Sequence, residues 1–172
     1  MFRLYEKTSI SFSKTHCFGI YSGILSEAIN LFNSIGIESV SRPLGRFLLE
    51  FNISGTEAIV PVPLSPEGLR RRGFNQSLLL AKAVSDNKNI PLIMDGLLKK
   101  TETRPQVGPP AKERARNLKG AFVAAKQFTG KRIMLVDDVM TTGATANECS
   151  RQLLKADASE VVVLTLARAA VL

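Results

Sequence analysis

The sequence predicts an α/β fold, a mainly parallel sheet flanked by helices with a small helical portion ahead of it. Arg132–Val136 and Glu160–Ala167 are apolar runs of the kind found in strands covered on both faces, and a helical pattern at Thr145–Lys155 joins them. Strand, helix and strand so close together make one βαβ unit, whose crossover is right-handed. A third apolar run, Ala58-Ile59-Val60, precedes a further helical stretch at Asn75–Ser85. Strands alternating with helices imply a parallel sheet.

Along the chain, Ile24, Leu25, Ala28, Ile29, Leu31 and Phe32 recur at helical spacing and predict a helix over 23–32. Arg42-Pro43 opens a second helix, because proline is tolerated in a first turn, and Leu44, Phe47, Leu48 and Phe51 continue it. Pro61 and Pro63 end the strand at 58–60 in a loop that either simply terminates it or meets a ligand. Good helix formers fill 75–85, with Asn75-Gln76 fixing the turn before them. Residues 91–98 are a weaker strand. Three prolines and many charges make 101–120 an excursion with at most a short helix over 112–118. The helix at 145–155 is expected to bury Ala146, Cys149, Leu153 and Leu154.

The 172 residues are one domain's worth, and no repeat or linker divides them. A content of 45% hydrophobic and 22% charged residues excludes a disordered or low-complexity chain. No apolar stretch is long enough for a membrane helix, and the first twenty residues lack the apolar centre of an export signal. The expectation is a cytoplasmic protein without membrane contact, its Cys17 and Cys149 reduced and Cys149 in the core. His16, the one histidine, lies outside every motif and is expected at the surface or in packing. The net charge is +8. Residues 99–132 carry ten Lys/Arg against Glu102 and Glu113, and 64–75 carry Arg70, Arg71 and Arg72 against Glu67. Positive charge so confined points to an anionic partner, a phosphorylated metabolite or nucleic acid.

The chemistry concentrates at 133–145, Ile-Met-Leu-Val-Asp-Asp-Val-Met-Thr-Thr-Gly-Ala-Thr. Four apolar residues build a strand, and Asp137 and Asp138 arrive where it ends, at the edge where open α/β sheets bind ligands. Thr141, Thr142, Gly143, Ala144 and Thr145 then lead into a helix. Small residues let backbone amides converge on one anion, Gly143 admits a positive φ, and the helix N-terminus adds partial positive charge. Simple capping of the turn by the aspartates is the plain alternative. Two carboxylates beside an anion cradle match a ribose 5-phosphate, with its diol toward the aspartates and its phosphate toward the loop.

Val136 to Thr145 resembles the 5-phosphoribosyl-1-pyrophosphate (PRPP) motif of type I phosphoribosyltransferases. More narrowly, the chain from about Tyr21 to Arg168 is similar to the ComF/GntX family. Val60-Pro61-Val62-Pro63-Leu64 with Leu69-Arg70-Arg71-Arg72-Gly73-Phe74-Asn75-Gln76 carries one part of the likeness. Thr103-Arg104-Pro105-Gln106, Arg114 and Arg116-Asn117-Leu118-Lys119-Gly120-Ala121-Phe122 carry another. The resemblance implies one phosphoribosyltransferase-type domain over 1–172, with 1–52 as a helical hood, 53–172 as the PRPP-binding core and 101–120 as its lid.

It also implies Mg²⁺-dependent transfer of the 5-phosphoribosyl group to a base or amine, with release of pyrophosphate. Asp137 and Asp138 would bind the ribose hydroxyls, directly or through Mg²⁺, and favour positive charge on the ring. Thr141, Thr142, Gly143, Ala144 and Thr145 would bind the 5-phosphate. Pyrophosphate would meet Arg70, Arg71 or Arg72, which cannot all share one helix face, and Arg104, Lys112, Arg114 or Arg116 of the lid. Relatives linked to competence and DNA uptake imply a second reading, a non-catalytic PRPP-responsive or DNA-associated protein whose basic segments meet phosphodiester backbones. Phe74 and Phe122 are too few aromatics for a stacking platform. A homodimer is the expected association. In two places the sequence departs from the family pattern. Relatives often carry a four-cysteine zinc module, but only Cys17 lies in that region, so no zinc is expected. Asn33-Ser34 stands where a Lys-aromatic pair is usual, weakening a substrate or packing contact.

Overall fold

The computed structural model describes residues 10–35, 38–100 and 118–170. In chain order these form β1 (Lys14–Ile20), α1 (Gly23–Ile35), α2 (Glu38–Leu48), β2 (Ala58–Pro61), α3 (Pro66–Arg72), α4 (Gln76–Lys88), β3 (Leu97–Lys99), β4 (Phe122–Ala124), β5 (Arg132–Met140), α5 (Ala144–Lys155) and β6 (Glu160–Arg168). The predicted fold class holds. A four-stranded sheet runs in the order β1-β6-β5-β2, with each neighbouring pair parallel. β3 and β4 form a separate antiparallel pair.

Alternate residues of β5 and β6 serve two cores, which is why both strands read as unbroken apolar runs. Met134, Val136, Val162 and Leu164 face Ile29 and Phe32 of α1, Leu44 and Leu48 of α2, and Leu80 and Val84 of α4. Ile133, Leu135, Val161 and Val163 face Cys149 and Leu153 of α5, together with Phe122 and Phe128. Cys149 is fully buried, as expected, and burial pushes its thiol well above the ordinary range. Both cysteines are free thiols.

Several elements differ from the sequence reading. β1 adds a strand to the N-terminal part, beside β6 at the sheet edge. His16 lies on it, half-buried, with its ring 5.1 Å from that of Phe51. α2 starts at Glu38, so Pro43 sits inside the helix rather than in its first turn. Packing on α4 and the sheet outweighs the hydrogen bond that proline forfeits. Of residues 91–98, only the last two join a strand; Leu92 makes an isolated parallel bridge to Ile59. β5 continues to Met140, so Asp137 and Asp138 lie within the strand instead of beyond its end. Leu154 is 37% exposed, one step round α5 from the stripe of Ala146, Cys149 and Leu153. Arg104, Lys112, Arg114, Arg116 and most of the expected lid lie outside the described residues.

Close approach of α2 to α4 depends on Gly45, where an added Cβ would stand 2.6 Å from the Cβ of Ala83. Gly45→Ala is therefore expected to lose about 1–3 kcal/mol by overpacking, despite alanine's better helix propensity. Urea unfolding measures the loss, and the double variant with Ala83→Gly should recover most of it.

Candidate functional site

Pairing of β5 with β2 ends at Pro61 opposite Val136. Beyond that point β5 keeps only β6 beside it, with Asp137 in register with Thr165, so the two aspartates emerge on a partly open strand at the carboxyl edge of the sheet. Val62 donates its N–H to Val136 O at 2.9 Å, which starts the β2 loop right beside Asp137. Ser65 then caps α3, accepting from Gly68 N–H at 3.0 Å. Gly73, at φ 79°, ends that helix. Asn75 closes the excursion by donating from Nδ2 to Val62 O at 3.1 Å, while its Oδ1 accepts from the Ser77 and Leu78 amides. The capping role expected of Asn75 is thus borne out. Arg70, Arg71 and Arg72 occupy the last turn of α3, all exposed, on a segment anchored at both ends to the sheet edge that carries Asp137.

Two contacts at the carboxylates have no counterpart in the sequence reading. Ser77, 5% exposed near the start of α4, donates from Oγ to Asp137 Oδ1 at 2.9 Å. Asn33 of α1 donates from Nδ2 to Asp138 Oδ2 at 2.9 Å. Far from being an idle departure, Asn33 touches the centre of the site. Asp137 Oδ1 also accepts the Asp138 N–H at 3.0 Å. Burial first, and the neighbouring charge of Asp138 second, push the Asp137 carboxyl well above the usual carboxylate range; the Ser77 hydrogen bond opposes them.

After Met140 the chain turns through Thr141 (exposed) and Thr142 (half-buried) to Gly143 at φ 73°, which begins α5 in the left-handed region that favours glycine. Gly143 offers no side chain to cap this helix; among the described residues the Ala144 amide has only a long 3.4 Å bond to Thr142 Oγ1. An uncapped N-terminus next to small residues leaves first-turn amides for an outside acceptor. One turn later Glu148, buried, accepts from Arg151, Gln152 and the Gly120 N–H. Burial alone would raise its carboxyl, but these donors hold it below the ordinary value. Gly120 at φ 77° is thereby tied to the helix that Gly143 begins.

Competence protein F of Haemophilus influenzae is 44% identical over 116 residues, 66% of this chain and 51% of that protein. The DNA utilization protein YhgH of Escherichia coli K12 is 38% identical over 112 residues, 65% of this chain and 49% of that protein. The chain is thus similar to competence and DNA utilization proteins over about two thirds of its own length. It spans about half the length of the curated relatives it matches. No family model matches it. Among solved structures, the glutamine PRPP amidotransferase from B. subtilis, complexed with ADP and GMP, aligns with a TM-score of 0.52 and 23% identity over 74% of this chain and 26% of that chain. That likeness establishes the phosphoribosyltransferase-type fold expected from the sequence. Among the described residues, no helix is long and apolar enough to cross a membrane.

Proposed function

We propose that this chain binds PRPP and transfers its 5-phosphoribosyl group to a nitrogen acceptor. One observation carries the reading: a pair of carboxylates on β5 leads directly into an uncapped helix that starts at a left-handed glycine. Thr141, Thr142, Gly143, Ala144 and Thr145 would hold the 5-phosphate with backbone amides and hydroxyls, while Asp137 and Asp138 face the ribose hydroxyls. In the transfer the bond from C1 to pyrophosphate breaks, pyrophosphate leaves with the electron pair, and the acceptor nitrogen bonds to C1 and loses a proton. Positive charge that builds on the ring is favoured by the carboxylates. Arg70, Arg71 and Arg72 supply cations at the same edge for the leaving group.

The donor set fits Mg²⁺. Among the described residues neither aspartate has an ion-pair partner, and hard carboxylate oxygens suit this ion. No group of three or more His, Cys, Asp or Glu is found among those residues to cage a metal alone, so substrate phosphates would complete the shell. Asp137 and Asp138 would hold the ion, which would supply positive charge toward the pyrophosphate oxygens.

Calorimetry with PRPP and Mg²⁺ should show binding that disappears in Asp137→Asn/Asp138→Asn; absence of binding by the parent chain overturns the proposal. A pyrophosphate-release screen with nucleobases and amines then identifies the acceptor. The names of the relatives, and the exposed arginines of α3, favour a second reading in which DNA is the ligand. A gel-shift assay separates the two: DNA bound at physiological salt and not displaced by PRPP assigns the basic surface to DNA.

A further inference from the structure

We propose that Asn33 and Ser77 are positioning residues, neutral donors on two separate helices that clamp the carboxylates of Asp138 and Asp137 in one arrangement. The proposal rests on the phosphoribosyl reading of the site. Each contact is 2.9 Å, and each joins distant parts of the chain, α1 to β5 and α4 to β5. Ser77 is held in turn, because Asn75 accepts its amide at 3.0 Å and ties the helix start to Val62. Its hydroxyl and the Asp138 N–H both meet Asp137 Oδ1, fixing that oxygen from two sides.

The orientation of Asn33 follows from its partner. Only the amide nitrogen can face a carboxylate, so Oδ1 must turn away. There it is buried with no hydrogen-bond partner among the described residues. A buried unmet acceptor is a liability for folding, and an apolar side chain of the same shape would avoid it. The position therefore works against stability while it serves the carboxylate. Neutral donors have a further consequence. A lysine or arginine at either place would orient the carboxylates equally well but cancel their charge, whereas an amide and a hydroxyl leave it to act on a bound sugar or cation. Asn33 also brings α1 into the site, so the N-terminal part holds one of the two residues meant to grip ribose.

Asn33→Leu separates positioning from packing. It removes both the donor and the orphaned acceptor at similar volume, so the melting temperature should stay level or rise while affinity for PRPP in Mg²⁺ falls about tenfold or more, as expected for a residue behind a ligand-binding group. Ser77→Ala should lose affinity on the same scale, and Ser77→Thr, which keeps the hydroxyl, should restore it. Affinities within twofold of the parent for both Asn33→Leu and Ser77→Ala overturn the proposal, as does a loss that tracks a lowered melting temperature and is not rescued by threonine. A measurement without ligand tests the clamp separately. In ¹H–¹⁵N spectra, Asp138→Asn should move the Asn33 side-chain amide resonance, and an unmoved resonance refutes the contact. If the parent binds no PRPP, the phosphoribosyl reading falls, and the amide resonance alone supports or overturns the clamp.

Discussion

Asp137→Asn is expected to melt higher than the parent chain at neutral pH while losing affinity for PRPP by at least about 100-fold. The geometry favours the exchange. Oδ1 of Asp137 receives both the Ser77 hydroxyl and the Asp138 N–H, and asparagine keeps that oxygen. Its amide NH2 takes the place of the second oxygen and can donate toward Asp138, so a half-buried charge and a like-charge repulsion vanish together. The sign with pH follows from the raised carboxyl. Folding takes up a proton here, so this group's contribution is favourable at low pH. It is lost as pH climbs from the ordinary aspartate range through the raised folded value. The advantage of the variant should therefore be small near pH 4 and largest above the raised value, reaching about 1–2 kcal/mol, or roughly 2–8 °C in a chain of this size. Calorimetric melts at pH 4, 6 and 8 measure it. A variant no more stable than the parent at pH 8 would contradict the unfavourable charge placed at Asp137 by burial and Asp138.

How much could be read from the sequence depended on how local each signal was. β5, α5 and β6 are legible because each strand is buried on both faces and so appears as an apolar run, and because α5 shows a clear inner stripe. β1 is not, since an edge strand with Lys14, His16, Phe18 and Ile20 along it is half-exposed and carries no run. Three-residue strands such as β3 and β4 are defined by their pairing with each other, not by composition. The start of α2 is hidden because Pro43 looks like a first-turn residue until α4 is packed against it. At the site the same rule applies. Asp137, Asp138 and Gly143 lie in one contiguous string and could be found by reading it. Asn33 is 105 residues from Asp138 and Ser77 is 60 from Asp137, so only the fold brings them together. Sequence did mark Asn33 as unusual, but gave no means to see that its amide meets an aspartate.

Gly143→Val is expected to damage both stability and phosphate binding, and Gly143→Asn to spare much of each. At φ 73° the residue sits in the left-handed region, where a β-branched side chain is strained and asparagine is tolerated. Valine should cost about 1–3 kcal/mol of stability, or relax by rotating the peptide and so turn the Ala144 amide from its place. The second outcome matters more for function. The proposed cradle consists of backbone donors, which no side chain can replace, so a rotated peptide should weaken PRPP at least about 100-fold. Asparagine keeps the backbone and should stay within about tenfold of the parent. Denaturant unfolding and PRPP calorimetry on the two variants distinguish conformation from mere side-chain bulk. If Asn and Val lose affinity equally, space at Gly143 rather than its backbone angle governs the ligand; if Val binds as the parent does, the phosphate does not sit at this helix.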